Sequence, residues 1–189
     1  MRWLPLVGAL GLLLFPSSSQ AQPADSATGA YARRIEGVAD AAAIVADSLV
    51  WDTLDAVMSV LPGSKGPPRH SLDSASRVMG WARRETRRRR ESFAGAGAPP
   101  ALRSVHEELL GGLDTLVSGL ELMERRVDRC RTASAGDCAG SLLDGLELTG
   151  AGRTRYDEAR RRATRLLAER SVTLAPPREI QGGPARRPR

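Results

Sequence analysis

The sequence predicts an all-α protein, a four-helix up-down antiparallel bundle closed by one disulfide. Apolar residues recur at spacings of three and four along the chain, and no segment shows the two-residue alternation of a strand. Segments rich in proline and glycine divide this pattern into separate helices. Hydrophobic residues make up 41% of the chain but aromatic residues only 4%, so the core must consist of aliphatic side chains and alanine.

The first two helices are predicted over residues 30–61 and 71–93, with a loop over 62–68 between them. Both carry apolar side chains at helical spacing, and the second helix is the least apolar of the four. The positions expected to face the core are Val38, Ala42, Val45, Leu49, Val50, Leu54, Val57 and Leu61 in the first helix, and Leu72, Ala75, Val78, Met79, Ala82 and Phe93 in the second.

The third helix, predicted over residues 101–132 after a loop at 95–100, has the clearest pattern. Two series of residues recur every seven positions, and the spacings between them alternate between four and three. This is typical of the seam of an antiparallel bundle or coiled coil. Gly112 and Gly119 lie beside the seam, where they would let a neighbouring helix approach closely. The seam consists of Leu102, His106, Leu109, Leu113, Leu116, Leu120, Met123, Val127 and Cys130.

The fourth helix is predicted over residues 137–172, with Asp137 as its N-cap because a carboxylate can accept hydrogen bonds from the free amides of the first turn. Small residues at 148–152 predict a kink or a break in this helix. Its seam is expected to be Cys138, Leu142, Thr149, Tyr156, Ala159, Ala163 and Leu166.

A short turn joins the third and fourth helices, so they should form an antiparallel hairpin. Reflecting the sequence about residue 134 pairs Cys130 with Cys138 and Gly112 with Tyr156. These are the only two cysteines, and an even pair outside the cytoplasm is expected to be oxidised. Their Cys-x7-Cys spacing does not match a CxxC redox motif, and no second pair completes a zinc site.

The first 21 residues have the three parts of a secretory signal peptide. Arg2 supplies the positive charge, residues 4–15 form an apolar stretch too short for a transmembrane helix, and a small-x-small cleavage pattern ends at Ala21. We therefore expect a helical domain over 22–174 and a disordered basic tail over 175–189. The mature protein is expected to be periplasmic or secreted, without a transmembrane segment.

Acidic and basic segments alternate along the chain. The net charge is −3 over residues 22–68, +5 over 69–93, −4 over 94–152 and +7 over 153–189. In an up-down bundle, neighbours in sequence are neighbours in space, so opposite charges should lie side by side. Lys65 is the only lysine and asparagine is absent, a composition typical of a GC-rich bacterial genome.

Arginine dominates the second helix, where residues 87–90 are four successive arginines. This run sweeps most of the helix circumference, so at least one arginine must point toward the bundle. Its expected partners are Glu36, Asp40 and Asp47 of the first helix. The alternative is an anion-binding surface shared with the tail, consisting of Arg83, Arg84, Arg87, Arg88, Arg89, Arg90, Arg186, Arg187 and Arg189.

The sequence contains no nucleophile elbow, phosphate-binding loop or haem-attachment motif. We therefore expect a protein that is not an enzyme, has no cofactor and no metal, and serves a structural or interaction role in the bacterial envelope as a monomer or homodimer. Its partner would be another protein or an anionic envelope component. Export, the acidic helices and the scarcity of aromatic residues argue against nucleic acid.

Two other functions stay open. One is a module that binds anionic envelope components through the arginine-rich helix and the tail. The other is a carrier of a small ligand or metal centred on His106, which occupies a seam position where leucine is expected. A histidine at the end of a bundle core can also be purely structural.

Overall fold

A computed structural model describes residues 26–58 and 69–176, and every regular element within these ranges is helical. The all-α prediction is confirmed for this part of the chain. The elements are α1 (Ser26–Arg34), a π-helical turn (Ile35–Ala39), α2 (Asp40–Met58), α3 (Arg69–Ala94), a 3-10 turn (Pro100–Leu102), α4 (Arg103–Arg129) and α5 (Ala135–Ala168).

The predicted helices correspond to these elements, with ends that differ by a few residues. α1, the π-helical turn and α2 follow one another without a gap and take the place of the predicted first helix. The predicted signal peptide, the loop over 62–68 and residues 177–189 of the tail lie outside the described residues. So do the side chains of Leu54, Val57 and Leu61.

The core is mostly aliphatic and rich in alanine, as the composition predicted, but three aromatic side chains, Tyr31, Phe93 and Tyr156, are buried in it as well. All nine residues of the predicted third-helix seam are buried, and six of the seven predicted for the fourth helix. The exception is Leu166, which is half-buried while Leu167 takes the core position. α4 packs against α5 and α3, and α2 packs against α3 and α5.

The backbones of α4 and α5 approach closely at glycine positions. A Cβ atom added to Gly112 would lie 2.8 Å from the Cα of Tyr156, and one added to Gly119 would lie 2.7 Å from the backbone nitrogen of Thr149. Both pairs are symmetric about residue 134, so the predicted register of the hairpin and the role of both glycines are confirmed.

Glycines of α5 make the reciprocal contacts. A Cβ on Gly145 would lie 2.8 Å from the Cγ of Met123, and one on Gly152 would lie 2.6 Å from the backbone nitrogen of Leu116. The small residues at 148–152 therefore do not break the helix, because α5 continues through them. Two of them, Thr149 and Gly152, are buried and lie against the backbone of α4, whereas Gly150 and Ala151 are exposed.

The turn of the hairpin is closed by the Cys130–Cys138 disulfide, with the two Cα atoms 4.8 Å apart. Ser134 caps α5: its hydroxyl oxygen accepts from the backbone N–H of Asp137 at 3.2 Å. The prediction of Asp137 as N-cap is wrong because the helix begins three residues earlier than the cap would require. The Asp137 carboxylate instead accepts a hydrogen bond from the Ser134 hydroxyl at 2.7 Å.

A pair of glycine-to-alanine substitutions tests this close approach. Gly112→Ala should lower the free energy of unfolding by about 1 to 3 kcal/mol, because the new methyl group meets the Tyr156 backbone. The matched control is Gly140→Ala in α5, where a Cβ meets nothing within 4 Å. That variant should be stabilised by about 0.5 to 1 kcal/mol through helix propensity. Urea unfolding followed by circular dichroism measures both, and equal stabilisation of both variants would contradict the contact.

Candidate functional site

Arg83 and the arginine run of α3 lie along acidic residues of α4. Because these pairs are partly exposed, each contributes little stability, about 0.2 to 1 kcal/mol. Together they fix how the two helices align. The ion pairs are Arg83–Glu124 at 2.7 Å, Arg87–Glu121 at 3.7 Å and Arg90–Asp114 at 2.8 Å.

Two further arginines of the run bind an acid of their own helix. Glu85 accepts from Arg88 at 2.8 Å and from Arg89 at 2.6 Å. The hydrogen bond from Arg88, followed by that from Arg89, lowers the pKa of Glu85 to about 2. Glu85 therefore stays ionised and neutralises one of these two charges.

The predicted pairing of the run with the acids of the first helix is wrong. Asp40 instead binds Arg160 of α5, and Glu36 accepts a hydrogen bond from the backbone N–H of Ala175. Asp47 forms no ion pair with any described residue. The alternation of charge was the right signal, but the acids that meet the run belong to α4.

A second set of side chains on α3 faces away from the bundle. Arg77, Trp81, Arg84 and Arg88 are exposed and follow one another at spacings of four, three and four, which places them on one side of the helix. We refer to these four residues as the outer stripe. Trp81 in its middle is 49% exposed.

The outer stripe keeps positive charge that the bundle does not use. Arg77 and Arg84 form no ion pair within residues 26–58 and 69–176. Arg84 and Arg88 belong to the predicted anion-binding surface, whereas Arg77 and Trp81 were not predicted, although their helical spacing is visible in the sequence. Arg186, Arg187 and Arg189 of the tail lie outside the described residues.

His106 lies in a buried aromatic cluster formed with α1 and α3. The centroid of its ring lies 4.7 Å from that of Phe93 and 5.7 Å from that of Tyr31. Its Nδ1 atom lies 3.1 Å from the Tyr31 hydroxyl oxygen. The position of His106 on the seam was predicted correctly from the sequence. Its aromatic neighbours were not, because they belong to other helices and the sequence does not show how those helices pack against α4.

Burial lowers the pKa of His106 below its ordinary value, because the charged imidazolium loses hydration. The negative charge of Glu107 opposes this shift, and the positive charge of Arg90 adds to it. Burial also raises the pKa of Tyr31, so its hydroxyl stays protonated and can donate to Nδ1 of the neutral imidazole. The described residues bring together no group of three side chains that could hold a metal ion.

A third cluster joins α2 to α5 and was not predicted from the sequence. Asp40, which directly follows the π-helical turn, is only 4% exposed. It accepts from the Tyr156 hydroxyl at 2.5 Å and from the Arg160 guanidinium at 2.8 and 2.9 Å. Burial, followed by the charge of Asp40, raises the pKa of Tyr156. The signal in the sequence was an aspartate among alanines on a buried helical face.

The same cluster holds the segment that follows α5. Ser171 adopts a left-handed backbone conformation with φ of 59°, and Leu174 is buried. Arg160 donates to the carbonyl oxygen of Ala175 at 2.6 Å, while Glu36 accepts from its N–H at 2.5 Å. The chain is thereby tied to the start of the bundle as far as Ala175.

These observations define a protein with one disulfide in which every regular element of residues 26–58 and 69–176 is helical. No protein-family model matches the chain, and no curated protein and no solved structure matches it either. Among the described helices, none combines the length and the apolar character needed to cross a membrane.

The pKa of His106 gives a pH-dependent stability. Because the folded state binds the proton more weakly than the unfolded state does, the free energy of unfolding should fall as the pH drops below about 6.5 and levels off once the folded form is also protonated. His106→Leu should remove this component. The control is His70→Gln, which replaces the only other histidine and should keep it.

Thermal unfolding of the three proteins between about pH 7.5 and about pH 5 measures the effect. If His106→Leu shows the same loss of stability as the unmodified chain, the imidazole does not cause it. The window lies above the ordinary pKa values of exposed carboxylates, so their titration contributes little.

Proposed function

We propose that this protein is exported and serves as a non-catalytic structural or interaction protein of the bacterial envelope. One observation carries the proposal. The buried ionisable side chains of the described residues are bound to one another, whereas unpaired arginines and large apolar side chains lie on the surface. The large apolar side chains with high exposure are Trp51, Trp81 and Leu143.

The buried polar clusters support a structural role for their members. Asp40 already accepts hydrogen bonds from Tyr156 and Arg160, and the Nδ1 of His106 faces Tyr31. A general base must reach the proton of its substrate within hydrogen-bond distance. A carboxylate whose two oxygens already accept hydrogen bonds from side chains, as in Asp40, is better suited to fixing helix positions than to acid-base chemistry.

We further propose an up-down antiparallel topology for the bundle. Support comes from the hairpin contacts symmetric about residue 134 and from the order of the ion pairs between α3 and α4. Along α3, Arg83 pairs with Glu124, while the later Arg90 pairs with the earlier Asp114. Residue numbers therefore rise along α3 while those of the paired residues fall along α4, which indicates that the two helices are antiparallel.

Export is supported by the N-terminal sequence and by the disulfide. Cys130 and Cys138 are bonded, and such bonds persist in oxidising compartments outside the cytoplasm. The charged n-region, the apolar stretch and the cleavage pattern ending at Ala21 form a secretory signal. We propose that cleavage near Ala21 releases a chain without a membrane span.

Native mass spectrometry of the protein produced with its own N-terminus in a bacterium with a periplasm tests this proposal. The expected species begins at Gln22, lacks the two hydrogens lost in forming the disulfide, and carries no bound small molecule. Ala21→Arg is the control, because a large charged residue at the cleavage position should block processing and leave the longer chain.

Two outcomes would contradict the proposal. A chain that keeps Met1 and stays in the cytoplasm with free thiols would exclude export. A retained non-covalent mass that His106→Leu abolishes would instead indicate a carrier of a small ligand or metal.

A further inference from the structure

Two groups of arginines on α3 have different surroundings. The first group, Arg83, Arg87 and Arg90, is paired with acids of α4. The second group is the outer stripe, which faces away from the bundle. Since Glu85 neutralises only one of Arg88 and Arg89, this side of α3 keeps an excess of positive charge.

The outer stripe combines this charge with an exposed indole. From Arg77 to Arg88 it extends about 16 Å along the helix. Trp81 lies between Arg77 and Arg84, neither of which has an ion-pair partner among the described residues. The guanidinium of Arg84 lies beside Gly80, where Glu124 is already bound by Arg83.

This combination fits the surface of a bilayer better than a soluble polyanion. Arginine forms paired hydrogen bonds with phosphate oxygens, which a phospholipid headgroup offers. Tryptophan partitions to the boundary between headgroups and acyl chains, where its ring is buried and its N–H stays hydrated. A soluble polyanion would satisfy the arginines but would leave the indole exposed.

We propose that the outer stripe of α3 docks on the surface of an anionic phospholipid bilayer, with the Trp81 ring in the headgroup region and Arg77 and Arg84 on lipid phosphates. The inference rests on the proposed function, because an exported envelope protein meets such a surface. The protein lies on the membrane, and the other four described helices stay in water.

Co-sedimentation with vesicles tests the docking. The probes are vesicles of phosphatidylglycerol mixed with phosphatidylcholine, and vesicles of phosphatidylcholine alone. The protein should bind the first and not the second. Arg77→Gln/Arg84→Gln should weaken binding about 25-fold, since each arginine near an anionic surface contributes about a fivefold gain in affinity.

Arg161→Gln/Arg165→Gln is the matched control. It removes two exposed arginines of α5 and changes the net charge by the same amount. Because attraction to the surface falls off within about 10 Å in salt, this control should weaken binding less than about fivefold. Equal weakening in both variants would overturn the assignment to the outer stripe.

Tryptophan fluorescence tests the position of Trp81. In a Trp51→Phe background, Trp81 is the only tryptophan of the chain from Gln22 onward. Its emission should shift to shorter wavelength with the anionic vesicles and stay unchanged with dextran sulfate in solution. The same shift with dextran sulfate, or none with vesicles, would overturn the bilayer as the partner.

A variant of the tail separates the two basic regions. Arg186→Gln/Arg187→Gln/Arg189→Gln should keep the fluorescence shift of Trp81. If this variant instead loses vesicle binding while Arg77→Gln/Arg84→Gln keeps it, the tail is the docking element and the proposal is wrong. Export with cleavage near Ala21 but no vesicle binding would overturn the docking alone and leave the proposed function standing.

Discussion

The close contact between α4 and α5 is the constraint on which the rest of the structure depends. Gly112 and Gly119 on one helix and Gly145 and Gly152 on the other bring the two backbones together. Each glycine lowers the stability of its helix by about 1 kcal/mol relative to alanine. The packing between the two helices must therefore stabilise the fold by at least the same amount. The disulfide at the turn holds the same register. Because this register fixes the rotation of α4 relative to α5, the sides of α4 that do not contact α5 have one defined orientation toward the other helices.

Those faces determine where the other helices lie. The acids of α4 align α3 through its arginines, and His106 near the start of α4 receives Tyr31 of α1 and Phe93 of α3. At α5, the buried Asp40–Arg160 pair fixes α2. A buried pair of this kind gives little net stability but penalises any arrangement that leaves one charge without its partner. Polar groups thus select the arrangement of a core whose alanine-rich packing would tolerate several.

Much of this could be predicted from the sequence, and the limits have physical reasons. Every position of the seven-residue series predicted for α4 is buried, because one helix carries the whole signal, but Val105 and Val117 are also buried and lie outside that series. The register of the hairpin could be predicted because a short turn allows little choice of which residues of the two helices lie opposite each other. The partner of the arginine run did not follow, since two acidic helices flank α3 and sequence order does not say which one its charged face meets. Asp40 was assigned to the wrong helix pair for the same reason.

The central claim is that the α4–α5 hairpin is the most stable unit of the protein, against which α1, α2 and α3 pack. Native-state hydrogen exchange tests it most directly, because slow exchange marks the part of a structure that opens last. We expect the slowest amides in α4 and α5 around the Gly112–Tyr156 and Gly119–Thr149 contacts, with faster exchange in α2 and α3. Amides of α2 or α3 that exchange more slowly than those of the hairpin would contradict the claim.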